Sequence, residues 1–139
     1  MSTYSDNIAL QAKGFADMHD ITPQLREILK TSKLKEGILT VILPGSTGGI
    51  TTIEYEPGVL KDLTELLEKF IPSNRTYHHD ATWGDGNGFS HLRSALIGPS
   101  FSVPFKGGKL VLGTWQQVTY IDFDNRSRSR ELHVQLVGE

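Results

Sequence analysis

The sequence predicts a single α+β domain over residues 1–139, made of several mixed or mostly antiparallel strands and about three helices. Three observations carry this. A chain of 139 residues is the size of one ordinary domain and buries about two-thirds of the surface its unfolded form exposes. Apolar residues recur at helical spacing in three stretches, beginning near Leu25, Leu60 and Phe89. Between them, short β-rich runs are punctuated by Gly, Pro and Asn turns, with no linker, repeat or low-complexity segment.

Residues 8–18 mix apolar and polar positions around Gly14, which reads as a first strand with a bulge. Thr22-Pro23 is a helix start, with Pro at the first helical position, and Leu25, Ile28 and Leu29 then keep helical spacing toward Lys33. Residues 38–43, Ile-Leu-Thr-Val-Ile-Leu, are too apolar for a wet face and predict a central strand. A Pro-Gly-Ser-Thr-Gly-Gly turn at 44–49 breaks it, and 50–56 alternate as a strand with two different faces.

Leu60, Leu63, Leu66, Leu67 and Phe70 mark an amphipathic helix that ends before Pro72. The stretch 72–86 is a long loop, poor in apolar residues, and such loops carry function or disorder. Asn87 is placed to cap a short helix over 88–96, which carries His91. Phe101, Val103 and Phe105 alternate into a Lys-Gly-Gly-Lys turn and a return run at 110–112, a β-hairpin. Residues 118–123 and 132–137 read as a second strand pair across an Arg-rich turn at 124–130.

Fourteen basic and sixteen acidic side chains leave a formal charge of -2, so there is no field to hold a long polyanion, and general nucleic-acid binding is not expected. The absence of cysteine removes disulfides, thiolate metal sites and thiol nucleophiles. Any metal must use His, Asp or Glu. The N-terminal residues lack a basic start followed by an apolar stretch, and no run is long enough to span a bilayer. A cytoplasmic protein without membrane association is the expectation.

The chemistry concentrates in Y-H-H-D-A-T-W-G-D-G-N-G-F-S-H-L-R at 77–93, where His78, His79, Asp80, Asp85, Asn87 and His91 crowd between turn residues. Imidazole and carboxylate ligate divalent metals or move protons near neutral pH. The alternative is a set of surface histidines that only hydrogen-bond, since the spacing is no diagnostic zinc signature. The 44–49 turn, which includes Thr47, can offer N–H groups to an anion, although it lacks the Lys of a P-loop. Arg126, Arg128 and Arg130 alternate, so in an extended segment they share one side and can grip a phosphate; a solvated turn is the plainer reading. Trp115 reads as core, Gln116 as a possible ligand contact, and Glu54 and Asp62 as capping or paired carboxylates rather than catalytic ones.

Taken together these segments resemble the YjbQ family, often labelled secondary thiamine-phosphate synthase-type. The resemblance covers nearly everything from about Ile38 and rests on S-T-x-x-I-T-T-I-E at 46–54, D-L at 62–63, Y-x-H-D at 77–80, N-G-x-x-H-L at 87–92, G-x-x-x-x-V-P at 98–104, L-G-T-W-Q at 112–116, R-x-R at 128–130 and the final V-G-E. It implies a sheet curled toward a barrel and a homotrimer with polar sites near the subunit boundaries. It transfers His79, Asp80, Asn87 and His91 to the site, with Thr47, Glu54, Thr114, Gln116, Arg128 and Arg130 as further members. Many family members carry a His before the first Thr pair, where this chain has Gly45-Ser46.

The family label implies joining a pyrimidine diphosphate to a thiazole phosphate, with a divalent cation and basic residues stabilising the leaving diphosphate. Against it, the sequence offers no acidic pair of the kind magnesium–diphosphate enzymes display. A second reading makes His79 and His91 ligands of zinc or another transition metal, with Glu54 or Asp80 as general base for hydrolysis. A third is a trimer that binds a metal or a small, phosphorylated ligand without turnover.

Overall fold

The computed structural model describes residues 1–139 as eight strands and four helices: β1 (Ser2–Ala12), β2 (Asp17–Asp20), α1 (Thr22–Ser32), β3 (Glu36–Ile42), β4 (Gly48–Ile53), α2 (Pro57–Phe70), α3 (His78–Trp83), α4 (Gly88–Ile97), β5 (Ser100–Lys106), β6 (Lys109–Leu110), β7 (Gln117–Asp122) and β8 (Arg128–Gly138). One sheet has the order β1-β8-β3-β5-β6 and the other β2-β7-β4. Every pairing is antiparallel. The sheets curl into a half-barrel, the α+β architecture the sequence implied.

Helix α1 fills the concave side. Its Leu25, Ile28 and Leu29 pack in one cluster with Leu39 and Val41 of β3, Val103 and Phe105 of β5, and Leu132, Val134 and Leu136 of β8. Each such side chain, taken out of water, contributes about 2 kcal/mol before entropy is counted. Strand β7 is buried on both faces, as alternation requires. Val118 and Tyr120 face the main cluster, whereas Ile121 and Phe123 join Ala16 and Leu67 in a smaller one that seats α2. Helix α4 is held against β4 by the Ser94 hydroxyl, which donates to Gly48 O at 2.6 Å. Buried Arg93 ties it to the end of α2 through Ile71 O and Glu68.

Several expectations change. Residues 8–18 form two strands in different sheets, because Gly14, Phe15 and Ala16 all take positive φ (82°, 51°, 68°) and turn the chain. Phe15 N and Ala16 N then donate to Asp124 O and Asp122 O at 2.9 and 2.8 Å, and a Cβ on Gly14 would lie 2.3 Å from Asp124 O. Nothing but glycine fits there. Strand β3 is central, yet one face is open: Ile38 is 55% exposed and Ile42 37%, since the single helix layer covers only the concave side. Strands β7 and β8 do not pair with each other; the chain leaves one sheet and enters the other across residues 123–127. The long loop contains the six-residue α3, a short addition to the three longer helices the sequence predicted, and α3 ends at Gly84 with φ 72°. No helix is long and apolar enough to cross a membrane.

Candidate functional site

The end of β7 carries two carboxylates, Asp122 and Asp124, with no solvent exposure at all. Charge in such a place needs partners. The start of β8 supplies them. Arg130 Nε donates to Asp122 Oδ2 at 2.6 Å and its Nη2 to Asp122 Oδ1 at 3.3 Å, with Nη2 also 3.8 Å from Asp124 Oδ2. Arg128 Nε donates to Asp124 Oδ2 at 2.7 Å. Arg130 Nη2 further reaches Thr47 Oγ1 at 2.7 Å, which locks the turn before β4 onto the pair. Tyr120 donates its hydroxyl to Asp122 Oδ2 at 2.8 Å.

These contacts set the protonation states. Burial pushes the Tyr120 phenol far up, and the neighbouring Asp122 adds to it, so Tyr120 stays a neutral donor. Burial alone would raise the Asp124 carboxyl, but hydrogen bonds from Asn125 N–H, Asn87 and Arg128 outweigh it and hold Asp124 below the usual range. Burial works against the Arg130 charge, and the Asp122 hydrogen bond and charge overcome it, raising Arg130 above its ordinary value.

The histidine window folds over this pair. Asp80, at the start of α3, accepts from Tyr77 N at 2.8 Å and from Gly88 N at 2.9 Å, binding α3 to α4. Those two N–H groups hold its carboxyl below the ordinary range. The closeness depends on Gly88, where a Cβ would meet Tyr77 Cβ at 2.7 Å and Asp80 Oδ1 at 3.0 Å. His79 Nδ1 is buried without a hydrogen-bond partner and points between Asp80 Oδ1 at 3.9 Å and Asp85 Oδ1 at 3.7 Å. One ligating atom each from His79, Asp80 and Asp85 fall within 4.8 Å of one another, a spacing that one ion can bridge. His91, one turn into α4, lays its ring against that of His79, centroids 4.3 Å apart.

Asn87 joins the two halves. It occupies the N-cap position of α4 but makes no side-chain cap. Its amide lies instead between two carboxylates: turned one way the NH2 donates to Asp124 Oδ1 at 3.3 Å, turned the other it donates to both Asp85 oxygens at 3.1 and 3.2 Å. The second orientation satisfies both ends of the amide and ties Asn87 to Asp85, beside His79.

The family model described as "UPF0047 protein YjbQ-like" matches residues 6–139. The chain belongs to the YjbQ family. It is 36% identical over 124 residues to a UPF0047 protein of Methanocaldococcus jannaschii, covering 88% of this chain and 86% of that one. A UPF0047 protein of Methanothermobacter thermautotrophicus is 34% identical over 139 residues, covering 100% and 95%. Among solved structures, a YbjQ-like protein of unknown function from Sulfolobus solfataricus P2 matches with a TM-score of 0.94 at 30% identity, covering 99% of each chain. Within this YjbQ chain, the motif residues divide into two groups.

His79, Asp80, Asn87, His91, Thr47, Arg128 and Arg130 gather at one end of the sheets, as described. Glu54, Thr114 and Gln116 do not join them. Glu54 follows the far end of β4, seven residues beyond Thr47 and so about 20 Å along the strand; it lines a cleft with Asp20, Tyr55 and Trp115. Gln116 Oε1 accepts from Gly113 N at 2.8 Å, and Thr114 O accepts from Gln117, in an exposed loop where Trp115 is 70% exposed rather than core. Two residues that sequence reasoning did not place in the site belong to its geometry, Asp122 and Asp124 beneath the arginines; Asp85, part of the histidine window but not among the residues transferred to the site, lies beside His79. Asp122 and Asp124 do form an acidic pair, but one saturated by arginine, so it is not of the metal-binding kind whose lack the sequence implied. The signal was D-F-D at 122–124, whose alternate residues share one strand face, but nothing local marks them as buried.

Proposed function

We propose that this corner is a divalent-metal site of an enzyme acting on a small phosphorylated molecule, with His79, Asp80 and Asp85 as metal ligands. The observation that carries this reading is His79 Nδ1, buried, unbonded and aimed between two carboxylates. A mixed nitrogen and oxygen set suits zinc, manganese or iron better than magnesium. Such an ion supplies a water of lowered pKa, or polarises a phosphoryl oxygen.

The protein's own groups do the rest. His91, its ring tilted against that of His79, would accept the proton that an attacking water loses. Arg128 spends only Nε, and Arg130 only Nε and Nη2, on partners within the chain. The remaining guanidinium N–H groups are free for phosphate oxygens. Because Asp122 and Asp124 are saturated by arginine, they serve as the base of an anion site and not as magnesium ligands. That favours metal-assisted hydrolysis over the thiamine-phosphate synthase-like transfer that the family label implies.

The proposed working form is a homotrimer in which Glu54, Thr114 and Gln116 reach the site from a neighbouring copy. Their exposure and distance from His79 in one chain support this, as does the uncovered apolar sheet face carrying Ile38, Ile42 and Val137.

The test is metal content together with phosphate release. Wild type, reconstituted with zinc or manganese and desalted, should hold close to one ion per chain and release phosphate from a panel of phosphomonoesters. His79→Ala and Asp85→Ala should lose the ion while keeping the wild-type circular dichroism spectrum. Retention of the ion by both folded variants refutes the ligand set. Stoichiometric metal with formation of thiamine phosphate, and no hydrolysis, moves the reaction to the transferase.

A further inference from the structure

The opposite pole of the molecule carries a cleft of about 440 Å³ between α1 and the β5–β6 hairpin, lined by Arg26, Leu29, Lys30, Gly108, Lys109 and Leu110. From Arg128 to Gly138, β8 spans about 30 Å, and the hairpin lies at the Gly138 end, where Gly138 pairs with Gly37 and Gly37 with Phe105. This cleft is therefore remote from His79.

Its charge is one-sided. Arg26 and Lys30 stand four apart on α1, on the same face, where like charges repel. Lys109 comes from the facing hairpin. Lys35 approaches from below, its Nζ within 3.6 Å of where a Gly108 Cβ would stand. None of the four forms an ion pair within the chain. None of the nearest acids lines this cleft: Glu27 lines another with Asn7 and Gln24, and Glu36 and Glu139 line a third with Met1 and Ile38. A basic residue in the last turn of a helix complements its dipole, which accounts for Lys30. That does not account for Arg26 one turn earlier or for Lys109 across the cleft.

We propose that this cleft is a second ligand site, for a small molecule bearing at least two negative charges on one group, of the phosphate-monoester or diphosphate class. Three cations around a concave floor satisfy a compact dianion. Leu110 and the edge of Leu29 give its organic part an apolar wall.

The probe is inorganic pyrophosphate, titrated into metal-free, isotope-labelled full-length protein at constant ionic strength. Saturable amide shifts should appear at Lys30, Gly107, Gly108 and Lys109 and persist in Arg128→Ala. The Lys30→Ala, Lys109→Ala variant, whose two side chains are exposed, should keep the wild-type spectrum elsewhere and bind at least about tenfold more weakly. Shifts confined to residues around Arg128 and Arg130 would overturn the proposal. So would unchanged affinity in the double variant, or shifts that chloride at equal ionic strength reproduces. A duplex oligonucleotide that shifts the same amides while pyrophosphate does not would also overturn it, by making the cleft a polyanion surface.

Discussion

Replacing Arg130 by Met would expose how the buried acidic pair is held. The side chain is 11% exposed and both carboxylates it serves are fully buried, so solvent relieves little of the loss. Breaking one partner out of a buried ion pair costs about 3–5 kcal/mol. The low end applies, because Asp122 keeps the Tyr120 hydroxyl and the Asp124 N–H, and Asp124 keeps Arg128 and Asn125 N–H. At about 2.1 cal/mol/K per residue, a chain of 139 residues has an unfolding entropy near 0.3 kcal/mol/K. A loss of about 3 kcal/mol then lowers Tm by about 10 °C. Calorimetric melting at pH 7 reads this directly. Adding Asp122→Asn should recover part of the loss, since the variant then buries one charge fewer. Arg128→Met, with its side chain one-third exposed, should cost only about 1 kcal/mol. A fall of less than about 3 °C in Arg130→Met, or a double variant that simply adds the two single losses, would refute the view that Arg130 holds these carboxylates in place.

Two further outcomes follow from the site. Gly88→Ala should cost about 1–3 kcal/mol in urea unfolding, because the added methyl meets Tyr77 Cβ and Asp80 Oδ1; unchanged stability would mean that α3 is free to shift away from α4. Asp80 and Asp124 are both held below the usual carboxylate value of about 3.9, Asp80 by the N–H groups of Tyr77 and Gly88, and Asp124 by hydrogen bonds that outweigh its burial. Their contribution to stability is therefore complete above about pH 3.9 and is lost as pH falls through the lowered folded values. Carbon-detected NMR titration should give both midpoints below 3.9, and Asp80→Asn should flatten its share of the acid loss; a midpoint above 4.5 for either carboxyl contradicts the hydrogen bonding described.

Much of the fold was legible because its signals are local. The apolar spacing that begins at Leu25, Leu60 and Phe89 corresponds to α1, α2 and α4, and the Lys-Gly-Gly-Lys turn to the β5–β6 hairpin. Pairing was not legible. A strand's partner depends on contacts such as Asn7 with Glu131, 124 residues apart, which no window contains. Helix α3 escaped because six residues are too few for periodicity and its start is fixed by Asp80 reaching back to Tyr77 N. In the site, the histidine window stood out because imidazole is scarce, and His79, Asp80, Asp85 and His91 do converge, whereas His78 is exposed and outside the cluster. Asp122 and Asp124 did not stand out, since an acidic residue beside a turn looks solvated until an arginine four or eight residues later closes over it.

The pairing of β1 with β8 orders how this molecule can be made. Eleven successive residue pairs, from Ser2↔Gly138 to Ala12↔Arg128, join the first strand to the last, and β8 also lies between β1 and β3 in the sheet. A chain emerging N-terminus first thus has no partner for β1, and one open edge on β3, until β8 has left the ribosome. Contacts of such long sequence separation make folding slow. Arg128 and Arg130 arrive with that same strand, so the two acids of β7 remain in water until the final step of sheet closure. Folding to the native state and burial of the Asp–Arg cluster are then one event, and a chain stalled before β8 would expose an apolar strand edge to its neighbours.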